Sequence, residues 1–193
     1  MLEKHLFNLF VLMIIGLPIN AQEFVIDKGH TFVRFAVNRF ATVDVHGRFN
    51  DFSGNVTYDT EKNMITAAEF SLNVESIDTG HDIRDGHLKG EIWLDAAHYP
   101  SISFTASDIQ KTDDGYLAKG ELTIKGKTNL IELPFVLSGP FVDPTKQTTI
   151  GISTNIIIDR QEYGLSFSRL MDNGQLFIGN EVEIWIDALF QTN

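Results

Sequence analysis

Ser76-Ile77-Asp78-Thr79-Gly80-His81-Asp82-Ile83-Arg84-Asp85-Gly86-His87-Leu88-Lys89-Gly90-Glu91-Ile92-Trp93-Leu94-Asp95-Ala96-Ala97-His98-Tyr99-Pro100-Ser101-Ile102-Ser103-Phe104 joins one strand-like run to another through a segment dense in His, Asp and Arg. Three readings compete for it. A metal site would draw on His81, His87, Asp82 or Asp85, but the two histidines are six apart, on opposite faces of a helix, whereas a helical zinc pair is four apart. A hydrolytic site could recruit Ser76, Asp85 and His87 on paper, without any G-x-S-x-G elbow to support it. The third reading is structural. Thr79 or Asp82 caps a helix start, with carboxylates near its positive end. Arg84 and Asp85 make charge-assisted bonds to a neighbouring strand or loop. The face containing His87, Leu88, Ile92, Trp93 and Leu94 packs on a barrel mouth, and Tyr99-Pro100 sets the turn into the next strand.

Outward from this segment the period is two, the mark of strands with one buried face. Val33, Phe35 and Val37 alternate with polar or small residues, as do Val45, Gly47 and Phe49. The same holds for Ala68, Phe70, Leu72 and Val74, and for Ile102, Phe104 and Ala106. It continues through Leu122 and Ile124, Ile131 to Phe135, Ile150 to Ile158 and Val182 to Ile186. These are eight strands, linked by turn sequences such as Asp113-Asp114-Gly115 and Lys125-Gly126-Lys127. The fold class expected is all-β, an eight-stranded antiparallel barrel with a helical insertion over 81–98 between strands three and four; a two-sheet sandwich is the rival. Gly47 and Gly120 at inward positions favour the barrel, because bending strands accept Gly at corners. Such a barrel is filled by its own side chains or holds one small ligand, and alternation does not decide between the two. A buried apolar chain of roughly 20 carbons would gain on the order of 15 kcal/mol gross, before ordering costs.

Residues 1–21 read as a cleaved secretory signal peptide: Lys4 and His5, an apolar run from Leu6 to Leu17, Pro18, and a small residue at Ala21. Residues 22–193 then form one domain. Removing the leader leaves the net charge at −11. An acidic domain suits neither nucleic acid nor anionic lipid surfaces, which need a basic face. The chain has no cysteine, which excludes thiolate metal sites, a cysteine nucleophile and a lipoprotein anchor. The expected location is periplasmic or secreted.

The motifs Ser76-Ile77-Asp78-Thr79, Arg84-Asp85-Gly86-His87-Leu88 and Tyr99-Pro100 with Phe104 resemble the signature of the YceI-like family, the polyisoprenoid-binding, lipocalin-like proteins. Val45-His46-Gly47-Arg48-Phe49, Gly120 to Gly126, Asp143-Pro144, Asp159-Arg160 and Tyr163-Gly164 extend the resemblance over roughly residues 24 to 190. It implies an extended lipocalin-like barrel that takes up a long isoprenoid tail, an exported binding protein and no enzyme. It implies no cofactor and no metal. Side-chain parity selects the candidate pore residues Phe35, Val37, Val45, Phe49, Phe70, Leu72, Phe104, Leu122, Leu133, Phe135, Ile152, Ile156, Ile184 and Ile186. Arg39, Arg84 and His87 are the candidates for contact with a polar head. The family often has His where Arg39 stands; an arginine is always charged and favours an anionic head over a quinone. It often has Pro where Leu130 stands, a change expected to loosen the turn after Gly126. Tyr163 to Met171 reads as a mobile lip over the pore or an ordinary long loop.

The function expected is an exported, non-enzymatic carrier of an isoprenoid or other long-chain lipid: a polyprenol, a polyprenyl phosphate or a quinone. The alternatives are a metal-dependent or hydrolytic enzyme built on the His81–His98 cluster, and a filled-core interaction or stress-response module. A homodimer and a membrane redox or lipid-pathway partner are the further associations left open; nucleic acid is not expected.

Overall fold

A computed structural model describes residues 21–192. Apart from Ala21, the expected signal segment lies outside the described residues. The strands are β1 (Ala21–Ile26), β2 (Phe32–Arg39), β3 (Val43–Phe49), β4 (Phe52–Asp59), β5 (Met64–Asn73), β6 (Ile77–Asp78), β7 (Ser101–Thr112), β8 (Gly115–Ile124), β9 (Lys127–Val142), β10 (Thr148–Asp159) and β11 (Ile178–Gln191). One short helix, α1 (Asp82–Lys89), lies between β6 and β7.

Eight staves close the barrel. β1 and β2 are two halves of one bent stave, broken by a single-turn helix at Lys28–His30 that the Asp27 side chain caps through the Gly29 N–H (2.8 Å). β3 and β4 form the second bent stave. The two halves pair in sequence, Val33↔Phe49 above and Phe24↔Val56 below. β5, β7, β8, β9 and β10 follow in order, each antiparallel to its neighbour. β11 closes the ring by pairing with β10 on one side and with β2 and then β1 on the other, Ile184↔Phe35 above and Ile26↔Phe190 below. Closure removes the exposed sheet edges that a sandwich would keep. Each expected strand is therefore one of the staves, but the lower halves of the first two, β1 and β4, are additional to the expected eight. In β4 the apolar series Phe52, Val56 and Tyr58 is interrupted by Gly54 at an inward position.

At the base of the barrel the interior is solid. Phe24, Tyr58, Ile65 and Ile150 are essentially inaccessible to solvent. Phe24 meets Tyr58 edge to face at 5.9 Å between ring centres. The Tyr58 hydroxyl donates to Asn63 Oδ1 in the β4–β5 turn, and burial pushes its phenol above the ordinary value.

The insertion at the opposite end is less helical than expected. Only Asp82–Lys89 is α-helix, and the residues from Gly90 to Tyr99 form successive turns closed by bonds such as Trp93 N to Gly90 O (2.9 Å) and Tyr99 N to Asp95 O (2.8 Å). The cap is His81, not Thr79 or Asp82: its Nδ1 accepts the Arg84 N–H at 3.3 Å. Leu94 and Ala96 are buried and Leu88 and Trp93 half-buried, whereas Ile92 and His87 are exposed, so the packing face is narrower than expected. Val74 N donates to Pro100 O at 2.9 Å where the chain re-enters the barrel.

Candidate binding pore

Above the packed base the barrel is hollow. The cavity measures about 340 Å³, within the ~300–1,000 Å³ range of ligand pockets. It runs from Ile65, Ile109 and Phe190 near the base to Arg39, Arg84 and His87 under the cap. All fourteen residues selected by parity border it: Phe35, Val37, Val45, Phe49, Phe70, Leu72, Phe104, Leu122, Leu133, Phe135, Ile152, Ile156, Ile184 and Ile186. So do Arg39, Arg84 and His87. Because His87 is exposed, the cavity meets solvent at the cap end.

The bore is open because three phenylalanine rings lie on glycines of the wall. Phe35 faces Gly47 and Phe70 faces Gly54 across their ladders. Phe104 lies over Gly120, one diagonal step away. A Cβ at Gly47 would stand 2.3 Å from Phe35 Cζ, one at Gly54 2.7 Å from Phe70 Cδ2, and one at Gly120 2.6 Å from Phe104 Cζ. With any other residue these rings would be driven into the lumen. Gly47 and Gly120, whose inward positions favour the barrel in the sequence, thus also make room for these rings.

The polar segment forms a self-contained network beside the mouth. Asp78 accepts from the Gly80 N–H (2.9 Å), Arg48 Nη2 (2.9 Å) and Asn50 (3.3 Å), contacts that, the Gly80 N–H first, hold its carboxyl below the usual range. Asp85 Oδ1 accepts from the Thr79 N–H (3.0 Å) and from its hydroxyl. Arg84 donates to Thr79 Oγ1 (2.7 Å) and Thr79 O (2.8 Å). Arg84 and Asp85 therefore bind the loop just before the helix, the loop of the two partners expected for them. His98 Nδ1 meets Asp95 Oδ1 at 2.8 Å, which raises the imidazole's pKa. Among the described residues no group of three or more His, Asp or Glu converges in a way that could hold a metal ion.

Residues 24–190 match the YceI-like domain. This chain belongs to the YceI-like family. Its relatives include UPF0312 proteins of Yersinia pestis and Yersinia enterocolitica, each 31% identical over 148 residues, 76% of this chain and 77% of the relative. Among solved structures, BcnA of Burkholderia cenocepacia superposes with a TM-score of 0.72 at 24% identity, covering 85% of this chain and 98% of BcnA. A YCEI protein of Campylobacter jejuni gives 0.70 at 22% identity, over 81% and 90% of the two chains. A polyisoprenoid binding domain from Saccharophagus degradans gives 0.64 at 16% identity, over 88% and 98%. At these identities the structural matches speak for the fold.

The YceI-like barrel carries one mouth residue that is not among the expected site residues. Arg160 is 2% exposed and borders the cavity. Its guanidinium donates to Gly179 O (2.8 Å), Phe167 O (2.8 Å), Asn180 Oδ1 (3.1 Å) and Leu165 O, and sits 5.7 Å from the Trp93 ring centre. Burial pulls its pKa below the ordinary arginine value. Trp93 in turn packs on Phe167, 5.3 Å between centres. Tyr163 to Met171 is thus strapped to the barrel through one buried cation. The Asp159-Arg160 landmark is the only signal in the sequence for this role. Leu130, expected to act on the turn after Gly126, lies instead within β9 opposite Glu121, outside the two-residue turn.

Arg39 differs from Arg84 and Arg160. Its guanidinium lies 4.5 Å from the Phe40 ring centre and 4.8 Å from that of Phe177, with no carboxylate or carbonyl partner among the described residues. Two aromatic faces hold the cation in place while leaving its hydrogen-bond donors open at the rim of the pore.

Proposed function

We propose that this protein is an exported, non-enzymatic carrier that holds a long apolar lipid of the isoprenoid class in its bore. The observation that carries the reading is the cavity itself: a lumen of about 340 Å³ walled predominantly by aliphatic and aromatic side chains, with Arg39, Arg84, His87 and Arg160 at its mouth. Such a site binds by removing apolar surface from water, ~0.8 kcal/mol per buried CH₂ before ordering costs. Its walls offer no convergent nucleophile and base, among the described residues, to act on a bound chain. The Saccharophagus neighbour is a polyisoprenoid binding domain, which agrees with this reading. The amino-terminal apolar run supports export, and amino-terminal sequencing of protein recovered from the producing cells tests it.

Arg39 favours an anionic head at the mouth, with Arg84 and His87 beside it. A guanidinium with free donors matches phosphate better than a neutral alcohol or quinone. Extraction of the natively purified protein with organic solvent, followed by mass spectrometry, should return a long-chain lipid. Protein that carries none, and that takes up neither added polyprenol nor quinone, sinks the reading. Arg39→Ala should weaken a polyprenyl phosphate about tenfold, one charge-assisted bond's worth, and leave the free polyprenol unchanged.

A further inference from the structure

The barrel wall is not zipped along its full height. β9 and β10 are registered from Thr148↔Val142 to Ser153↔Val136 and no further, although β9 begins at Lys127 and β10 continues to Asp159. Over that upper stretch β9 pairs only with β8, and β10 only with β11. The register explains where pairing fails. The tight turn at Lys125-Gly126 makes Ile124 and Lys127 a hydrogen-bonded pair. Odd-numbered residues from Lys127 therefore bond β8, and even-numbered ones turn their backbone groups toward β10. Ser138↔Gly151 and Val136↔Ser153 are bonded pairs of this second set, and the next would be Pro134 with Asn155. Pro134 has no N–H to give. Its carbonyl instead accepts the Thr154 hydroxyl at 2.6 Å, and the Asn155 side chain turns away to Glu183 on β11 (3.0 Å).

The result is an unlaced seam, or slit, between two adjacent strands of a closed barrel. It spans the six residues Thr154–Asp159, ~20 Å at ~3.3 Å per residue. The regular ladder bounds it below, and Asn129 Nδ2 donating to Glu162 O at 3.4 Å bounds it above. Inside, its lips are Ile131 and Leu133 facing Ile156 and Ile158, all bordering the cavity. Outside, Leu130 is 76%, Val136 54% and Ile157 61% exposed. Apolar side chains thus stand on both faces of the seam, interrupted outside by Glu132 and Asn155.

We propose that the slit is a side door through which the apolar chain of the cargo enters and leaves sideways. This rests on the lipid reading above. End-on threading through the capped mouth would pull every isoprene unit past charged groups. Lateral passage has no backbone ladder bond to break, because Pro134 has removed it; the Thr154 hydroxyl bond to Pro134 O is the contact to open.

Pro134→Val restores the missing donor. It should slow amide exchange at Asn155 and slow uptake of solanesol, a long polyprenol, about tenfold, with the same final occupancy. A second variant does not depend on the strands zipping. Glu132→Cys and Ile157→Cys, in a chain with no other cysteine, can be bridged by bis-maleimidoethane; the bridged protein should load solanesol at least tenfold more slowly than the unbridged one. Bridged protein that loads at the unbridged rate overturns the side door. Wild-type protein that takes up no solanesol at all overturns the lipid reading, and the door falls with it.

Discussion

The lower and upper halves of this barrel are made from the same strands and the same alternation, yet one is solid and the other hollow. At the base, Phe24, Tyr58, Ile65 and Ile150 are fully buried, with Phe24 packed edge to face on Tyr58. Higher up, Phe35, Phe70 and Phe104 are as large, but each occupies the space beside a glycine of the wall, where a Cβ would clash with it. Apolar content therefore does not decide whether a small barrel is filled. What decides it is the residue beside each ring. A ring opposed by another bulky side chain closes the section; a ring beside a glycine becomes part of the wall.

That contrast can be broken from either side. Phe24→Ala should cost about 3–5 kcal/mol, the usual range for an aromatic removed from a packed core, whereas Leu133→Ala, whose side chain already faces a void, should cost about 1 kcal/mol; chemical denaturation of the two variants gives the comparison. Next comes the strap over the mouth. Arg160→Met leaves several carbonyls of the 165–179 segment without their donor, and a loss of about 2–4 kcal/mol is expected, with proteolytic cleavage appearing first between Leu165 and Phe177. Gly47→Ala should convert a hollow section toward a filled one. Displacing the Phe35 ring should cost about 1–2 kcal/mol and should reduce uptake of long polyprenols more than of short ones. A ring that stays on the wall in that variant's crystal structure would refute the gauge role assigned to the glycine.

The smallest effect concerns the cap. His98 gains Asp95 as partner only in the folded chain, so its folded pKa lies above its unfolded one. Its stabilising contribution is complete below the unfolded value of about 6.5 and is lost as pH rises through the higher folded value. NMR titration of the His98 ring should show the raised pKa, and Asp95→Asn should return it toward 6.5.

Much of the bore is legible in the sequence, and for a definite reason. Parity of two identifies the inward face of a strand whatever the strand's partners, so the fourteen pore residues can be placed before any pairing is known. Gly54 marks where that method fails: an inward glycine looks like an interruption, and it hides the lower half of the second stave. The extent of the cap is harder to read because Asp and His serve helix caps, turns and catalytic sites alike. Arg160 and Arg39 cannot be told apart by residue type, since a buried strap and an open rim cation differ only in what surrounds them. The missing ladder beside Pro134 is also invisible, because a proline's effect on a sheet depends on which neighbour its nitrogen faces.

Both described ends of the chain lie at the solid end of the barrel. Ala21 pairs with Asp59 beside the β4–β5 turn, and Gln191 pairs with Val25 and Thr149. A fusion partner, affinity handle or surface tether attached at either terminus would therefore leave the opposite pole unobstructed. Held at a surface through Ala21, the first described residue, the barrel would present its mouth away from that surface, with the seam between β9 and β10 on its flank. Immobilising the protein through one terminus or the other should accordingly give arrays of uniform polarity with the same loading behaviour.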